Sequence, residues 1–456
     1  MISKEAKHGM TFTAAWSNLS NCAVGSGILS IPFAFAQMGI IMSVCVYVLV
    51  TLSSWIGMYL LARTTAIIST LTVSSSQQRL SPNSYRDLVH ILLGPLSTVC
   101  FQLMILTYCF SILVGYLIII EELFPPVLRW LQVIGITITE TQHFSHFTLL
   151  SAVIGLILPI SLIRTRSHFK YLSVGAIVCV LYFVFLLSFE SSVNPFEGLE
   201  RMPCWKHDHD IHLFNDVSSA IIGIPIICFA LGGHLQSVSL FTELTHSGEI
   251  EEYIDYNSKI WAVLHKWAVT TALSMLFLSV IYALVGFVSY ICMIVPGREP
   301  YGADILQHMI DSDPNDGFIQ SASLSVGIVL VLSYPLFSFP LRAIVDGFFV
   351  YLLPSLNENV SIRTRYNVET LLIVMSSYVV AITIGNVKVM FGLIGATGAV
   401  FQQFFLPAVL YLLARNYSGR KNEPRSLVLG TFLVMVVGCI VGTAAAFKIF
   451  LYSSNL

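Results

Sequence analysis

Long apolar stretches recur along the whole chain, and polar segments separate them. A stretch of about 17–25 apolar residues is long enough to form a helix that crosses the hydrocarbon layer of a bilayer. Backbone groups inside that layer find no water, so a chain crosses it only as helices or as the strands of a closed barrel. Repeated stretches of this length predict an all-α polytopic membrane protein that lies in a lipid bilayer.

The composition agrees with this fold class. Only 11% of the 456 residues are charged, whereas a soluble domain carries about 25%. Eleven spans are predicted within one transmembrane domain, 1–456. Their approximate bounds are 12–36, 40–63, 97–120, 147–163, 171–189, 215–241, 261–292, 318–345, 367–385, 389–414 and 427–452. The longest loops are predicted around 64–96, 190–214, 242–260 and 297–317.

Positive charges are unevenly divided between the two sides of this arrangement. With the N-terminus in the cytoplasm, 17 of the 23 Lys and Arg residues fall on the cytoplasmic side. Positive loops favour that side, so we expect a cytoplasmic N-terminus and an extracellular or lumenal C-terminus. The pattern does not distinguish the plasma membrane from a vacuolar or lysosomal membrane. The net charge of −2 argues against a nucleic-acid partner, and we expect a monomer.

The first predicted span is interrupted by Gly25-Ser26-Gly27. Each glycine inside a helix costs about 1 kcal/mol relative to alanine, so this tripeptide favours a break. A broken helix within the membrane frees backbone N–H and C=O groups, and transporters use such groups to hold a carboxylate and a coupling ion. Alternatively, the two glycines and the serine lie in a continuous helix and serve only packing, because small residues let neighbouring helices approach closely.

The sixth predicted span contains a second candidate break at Gly232-Gly233, 207 residues after the first. Interrupted helices at matching positions in two halves are typical of transporters with an inverted repeat. We therefore expect residues 12–189 and 215–414 to form two five-helix repeats, with residues 427–452 as an additional helix.

Polar side chains in the first and eighth spans are candidates for an ion site. Asn18 and Asn21 lie three residues apart and share one face of a helix. An amide within the membrane must find partners in the protein interior, and a hydrogen bond between helices would also satisfy it. Na⁺ is a hard cation that prefers oxygen ligands. The candidate Na⁺ ligands are Asn21, Cys22, Gly25 and Ser333, the second and third through their main-chain carbonyl groups.

Three further residues are singled out near the predicted breaks. His234 follows the glycine pair, and an ionisable side chain within the membrane is a candidate for gating or proton binding. The alternative is a neutral imidazole that only holds the broken helix in place. Tyr116 and Phe229 are predicted to face the first break and to wall a substrate pocket, although ordinary core packing also explains them.

No catalytic motif stands out in the sequence. Walker, His-Glu-x-x-His and Gly-x-Ser-x-Gly patterns are absent, and the acidic residues of the predicted spans lie near span ends. We therefore predict that the protein is not an enzyme and needs no cofactor. Its nine cysteines form no Cys-x-x-Cys pair, and a disulfide between Cys204 and Cys292 is left open.

Four segments resemble the amino acid/auxin permease superfamily, and within it the sodium-coupled neutral amino acid transporter family. These segments are Asn18–Leu29, Phe229–His234 with Glu243 and Leu244, Ser333–Arg342, and Val389–Gly398 with Pro407, Tyr411 and Leu412. They are similar, in order, to the family's first, sixth, eighth and tenth helices. Gly233 stands where the family usually has Cys, and Ser333 where Thr is more typical.

The resemblance implies eleven helices in an inverted five-plus-five repeat of the amino acid–polyamine–organocation type, with helices 1 and 6 discontinuous. It implies neutral amino acids as substrates and places Asn21 and Ser333 at a sodium site.

Residues and resemblance together predict a secondary active transporter of neutral L-amino acids that is coupled to Na⁺ and works by alternating access. We expect the substrate carboxylate at the N–H groups of Gly25, Ser26 and Gly27, and the amino group at the second break, beside Phe229 and Gly233. Two alternatives are a proton-coupled carrier of the same fold, with H⁺ as the coupling ion, and an amino-acid-sensing membrane receptor.

Overall fold

The computed structural model describes residues 10–25, 27–71, 82–132, 149–163, 166–193, 213–214, 217–246, 255–293, 306, 316–352, 360–384, 398–419, 429–436, 438 and 442–443. Its helices, in chain order, are α1 (Phe12–Val24), α2 (Gly27–Met38), α3 (Ile40–Ser69), α4 (Tyr85–Gln132), α5 (Leu149–Ser161), α6 (Arg166–Val193), α7 (Val217–Ala230), α8 (His234–Thr245), α9 (Tyr256–Met293), α10 (Gly317–Leu352), α11 (Ile362–Ile384) and α12 (Leu406–Tyr417). Single π-helical turns lie within α5 at Val153–Ile157 and before α12 at Phe401–Phe405.

The helices are those of a polytopic membrane protein. Within the part of the chain that the structure describes, seven candidate spans are long and apolar enough to cross a bilayer, and α1 with α2 makes an eighth if the bent pair counts as one span. The predicted fold class is thereby confirmed. The number of eleven spans and the inverted repeat stay predictions, and most of the last predicted span, 427–452, lies outside the described residues.

Several helices extend beyond the predicted spans. The loop predicted at 64–96 contains helix at both ends, because α3 continues to Ser69 and a first helical segment of α4 begins at Tyr85. A non-helical kink at Gly94, with φ of 82°, separates this segment from the helix that follows, close to the predicted start of the span at 97. The loops predicted at 190–214 and 242–260 are shortened in the same way by α6, α8 and α9. Hydropathy identifies only the apolar part of a helix, which lies in the hydrocarbon layer. Polar turns that continue the same helix into water are therefore predicted as loop.

Both predicted interruptions are present as breaks in helices. α1 and α2 meet at an angle of 53°, and α7 ends at Ala230 while α8 begins at His234. α2 packs along α7. A Cβ atom on Gly27 would lie 2.6 Å from the Ala230 Cα atom, so the two broken helices touch where they break.

The helices around the breaks form the interior of the bundle. α10 packs against both α4 and α6, and α9 packs against α1, α2 and α3. In the most apolar window of each span, 67% of the residues are buried in α4 and in α10, compared with 28% in α3 and 33% in α11. The outer helices turn large apolar side chains such as Leu49 and Leu372 outward, as lipid contact requires.

Candidate functional site

Four polar side chains meet beside the first break, and we call Asn18, Asn21, Ser173 and Ser333 the polar cluster. The Ser333 hydroxyl donates a hydrogen bond of 3.1 Å to Asn21 Oδ1. Asn21 Nδ2 donates to Ser173 Oγ over 3.2 Å, and the Ser173 hydroxyl donates to Asn18 Oδ1 over 2.9 Å. The structure thus brings the predicted ligands Asn21 and Ser333 together and links α1, α6 and α10.

The polar cluster is buried in the bundle. Asn21, Ser173 and Ser333 are 0% exposed, and Asn18 is 5% exposed. Burying such groups is unfavourable unless they are hydrogen-bonded, and each of the four has a partner within the cluster. Their four side-chain oxygen atoms carry no charge and form two hydrogen-bonded pairs, Ser333 with Asn21 and Ser173 with Asn18, which the Asn21 amide nitrogen connects. This arrangement suits a hard monovalent cation, and it also makes the hydrogen bonds between helices that the alternative interpretation requires.

Carbonyl groups at the two breaks are capped by side chains from other helices. The Tyr282 hydroxyl donates to the Ala23 carbonyl over 2.6 Å, and Gln403 Nε2 donates to the Cys228 carbonyl over 2.7 Å. In a continuous helix each carbonyl would accept from the N–H four residues later, and here the break falls within those four residues. The caps let the breaks persist without leaving buried acceptors unsatisfied.

Gly25 lies against Tyr116, and the contact of this tyrosine with substrate stays a prediction. A Cβ atom on Gly25 would overlap the Tyr116 hydroxyl. The Tyr116 ring packs edge-on against Phe337, with 5.9 Å between centroids. Gly27 begins α2, and the first N–H groups of a helix have no partner within it. Ser26 lies outside the described residues, so the predicted carboxylate site is described only at its two glycines.

The other predicted residues at the breaks occupy buried positions. Cys22 is 4% exposed in the last turn of α1, where carbonyls lack helical partners. Phe229 is 7% exposed near the end of α7. Gly233 precedes α8, and a Cβ atom there would lie 2.9 Å from side-chain atoms of both Leu19 and Met58. The described contacts of Gly233 are therefore packing contacts with α1 and α3.

His234 ties the second break to α3. Its Nε2 atom lies 3.0 Å from the Ser54 carbonyl oxygen, so Nε2 carries the hydrogen. Its Nδ1 atom has no hydrogen-bond partner among the described residues, and the side chain is 1% exposed. A protonated ring would bury a second N–H group without an acceptor. This geometry favours the neutral imidazole, and the gating or proton function of His234 stays a prediction.

A cavity of about 370 Å³ reaches the polar cluster at Asn18. Parts of α1, α4, α8, α10 and α11 wall it, and Arg86 and Arg342 are among its lining residues. The charge distribution assigns both arginines to the cytoplasmic side. Gly25 and Tyr116 are not among the described residues that line it. The cavity therefore leads from the polar cluster toward the predicted cytoplasmic face.

Proline shapes one wall of the cavity. Pro340 has no N–H group, so the Leu336 carbonyl one turn earlier in α10 loses its helical donor. Gln236 Nε2 on α8 donates to this carbonyl over 3.2 Å. All three residues line the cavity, and this bond joins α8, which follows the second break, to α10.

Sequence reasoning missed several residues of this site. Ser173, Tyr282 and Gln403 were not singled out, although a polar side chain within an apolar span is the signal that identified Asn21. Glu369 lies close to the start of its predicted span, and a position near a span end gives no sign of burial. In the structure it is 3% exposed and lines the cavity.

Comparison with known proteins supplies the family. The model of the family described as "Transmembrane amino acid transporter protein" matches residues 8–448. Vacuolar amino acid transporter 7 of Saccharomyces cerevisiae is 25% identical over 342 residues, which are 74% of this chain and 59% of the yeast protein. Vacuolar amino acid transporter 5 of Schizosaccharomyces pombe is 21% identical over 403 residues, 88% of this chain and 84% of the relative.

A vertebrate relative extends the comparison. Sodium-coupled neutral amino acid symporter 2 of Danio rerio is 22% identical over 447 residues, 94% of this chain and 80% of the relative. The family and these relatives are transporters and not enzymes. Because the family model spans nearly the whole sequence, this multi-pass membrane protein belongs to the transmembrane amino acid transporter family.

Proposed function

We propose that this protein is a secondary active transporter of neutral L-amino acids, with ten spans in two inverted five-helix repeats and an eleventh span outside them. The observation that carries the proposal is that two broken helices meet beside a buried polar cluster. Family membership supports an amino acid as the substrate. Discontinuous helices at the interface of two repeats are where secondary transporters bind substrate and coupling ion.

The two breaks offer opposite partial charges to a zwitterion. α2 begins at Gly27, and the N-terminus of a helix is electropositive. α7 ends at Ala230, and the C-terminus of a helix is electronegative. Gly27 and Ala230 are in contact, so the substrate carboxylate at the N–H groups of Gly25–Gly27 and its ammonium group at carbonyls near Phe229 would lie side by side.

The polar cluster is the proposed site of the coupling Na⁺. Asn21 and Ser333 supply side-chain oxygens from α1 and α10. The carbonyl of Cys22, in the last turn of α1, and that of Gly25, the residue after α1, complete the set. An ion bound there joins α1 to α6 and α10, and it stabilises the arrangement in which those helices are together. The name of the Danio rerio relative supports sodium coupling, and the yeast relatives support a vacuolar membrane as a site of action.

Ligand-dependent stability of the purified protein tests the function without transport. A ligand that binds only the folded state raises its stability by about 2.7 kcal/mol when present at 100 times its Kd. We expect neutral L-amino acids to raise Tm, and Na⁺ to enhance the shift. D-enantiomers and sugars are the matched controls. Equal shifts with the controls, or none with any L-amino acid, would contradict the proposal.

The orientation predicts which loops a thiol reagent can reach. In a variant that lacks native cysteines, a cysteine next to Arg420 should be protected from an impermeant reagent in intact cells, and one next to Lys206 should be labelled. The reason is that 17 of 23 basic residues lie on the side of Arg420. The reverse labelling pattern, in a membrane of known sidedness, would refute the orientation and the inward-facing assignment of the cavity.

A further inference from the structure

The cavity ends before it reaches the first break. Asn18 lines it from α1. Cys22 lies one helical turn further along the same face of α1, is 4% exposed, and is not among the described residues that line the cavity. Gly25 and Tyr116, at the break itself, also lie outside the described lining. A barrier therefore separates the cavity from the first break.

One turn of α10 lies between the cavity and the first break. Leu336 lines the cavity. The next residue, Phe337, packs edge-on against Tyr116 with 5.9 Å between ring centroids, and Tyr116 adjoins Gly25 at the break. Leu336 and Phe337 are 6% and 5% exposed. Residues 333–337, which we call the α10 turn, therefore form part of the barrier.

Two prolines weaken the hydrogen bonding of α10 around this turn. α10 contains Pro335 and Pro340, and neither can donate a backbone hydrogen bond to the residue four positions earlier. The carbonyl groups of Val331 and Leu336 therefore lack helical donors. Prolines are a usual cause of bends in helices, so the α10 turn can move at a lower cost than a turn of an uninterrupted helix.

Gln236 holds the α10 turn from the side of the second break. It lies in the first turn of α8, which begins directly after that break at His234. Its Nε2 atom donates over 3.2 Å to the Leu336 carbonyl, the group that Pro340 leaves without a helical donor. Gln236 is half-buried and lines the cavity. The bond thus joins α8 to α10 across the barrier, and it lies where water in the cavity can replace it.

We propose that Gln236 and the α10 turn form an inner gate between the two breaks and the cavity. The gate is closed while Gln236 is bonded to the Leu336 carbonyl. When this bond is released, the cavity extends past Asn18 to Cys22 and reaches the breaks. Gln236 is thus a positioning residue that controls passage of the amino acid between its binding site and the cavity. That passage rests on the proposed function, whereas the gate itself does not.

Labelling of Cys22 tests the gate without transport. In a variant whose only cysteine is Cys22, a small thiol reagent applied to inside-out membrane vesicles should react slowly, because the thiol lies beyond the closed gate. Gln236→Met keeps the length of the side chain and removes the donor. It should accelerate labelling about fivefold, the shift in the open-to-closed ratio that the loss of one ordinary hydrogen bond produces.

Two further variants in the same background make the test specific. Pro340→Ala supplies a helical donor that competes with Gln236 for the Leu336 carbonyl, so it should also accelerate labelling. Gln102→Met makes the matched substitution on the cavity wall formed by α4, and it should leave the labelling rate unchanged. Equal rates in Gln236→Met and Gln102→Met, or no acceleration in Pro340→Ala, would overturn the gate.

The dissociation rate of a bound, labelled L-amino acid tests what the gate controls. In Gln236→Met it should rise by a factor similar to that of Cys22 labelling, whereas a purely structural loss would lower the amount of folded protein and leave this rate unchanged. Faster labelling with an unchanged dissociation rate would overturn the assignment of Gln236 to amino acid passage. Faster labelling in a protein that binds no amino acid would contradict the proposed function instead, and it would support the gate.

Discussion

Gly25→Val should abolish amino acid uptake while the protein still reaches the membrane. The new Cβ atom would overlap the Tyr116 hydroxyl, and the ring cannot retreat without losing its edge-on contact with Phe337. Overpacking of this kind costs about 1–3 kcal/mol, and it also fills the space where the backbone would approach a substrate carboxylate. Uptake into cells, normalised to surface expression, is the measurement.

Two companion variants separate crowding from general damage. Gly327→Val places the same side chain on α10 at a glycine whose Cβ position is open, and it should transport normally. In Gly25→Ala the new Cβ atom meets the same Tyr116 hydroxyl, so uptake should fall. Adding Tyr116→Phe removes this hydroxyl, and the double variant should regain part of the lost uptake. Normal uptake kinetics in Gly25→Val would refute the assignment of the substrate to this break.

Asn21→Ala and Ser333→Ala should each raise the Na⁺ concentration that gives half-maximal uptake, by about five- to tenfold if each lost interaction contributes about 1 kcal/mol. The Ser333 hydroxyl and the Asn21 carbonyl are 3.1 Å apart and belong to different helices, so either change removes an oxygen that bridges α1 and α10. The substrate KM at saturating Na⁺ should rise less. Uptake at varied Na⁺ and fixed substrate measures the effect.

Ser333→Thr is the matched control for the ion site. Threonine keeps the hydroxyl, so the Na⁺ dependence should stay close to that of the wild type. If the alanine variants change the substrate KM and leave the Na⁺ requirement untouched, the polar cluster is a set of structural hydrogen bonds and not the ion site.

Features that depend on local chemistry were predictable from the sequence. Glycine lowers helix stability wherever it occurs, so Gly25 and Gly233 marked breaks that the structure contains. An amide within an apolar span needs an internal partner, and Asn21 has two, in Ser173 and Ser333. Span length follows from bilayer thickness, which explains why the fold class was predicted while the helix ends were not.

Features that depend on which helices pack together were not predictable. Nothing near Tyr282 or Gln403 in the sequence indicates that they cap carbonyls at breaks some 170–260 residues away. Glu369 looked like a peripheral acid because span position does not reveal burial. Its exposure of 3% arises from α10, the preceding helix, and from α4, which is distant in sequence, because both pack against α11.

The central claim is coupled amino acid transport, and uptake into proteoliposomes tests it most directly. A panel of labelled amino acids would be offered with a Na⁺ gradient and a pH gradient imposed separately. We expect neutral L-amino acids to accumulate above equilibrium when the Na⁺ gradient is imposed at equal pH. Accumulation with the pH gradient alone would contradict sodium coupling, and no accumulation of any amino acid under either gradient would contradict the transport function itself.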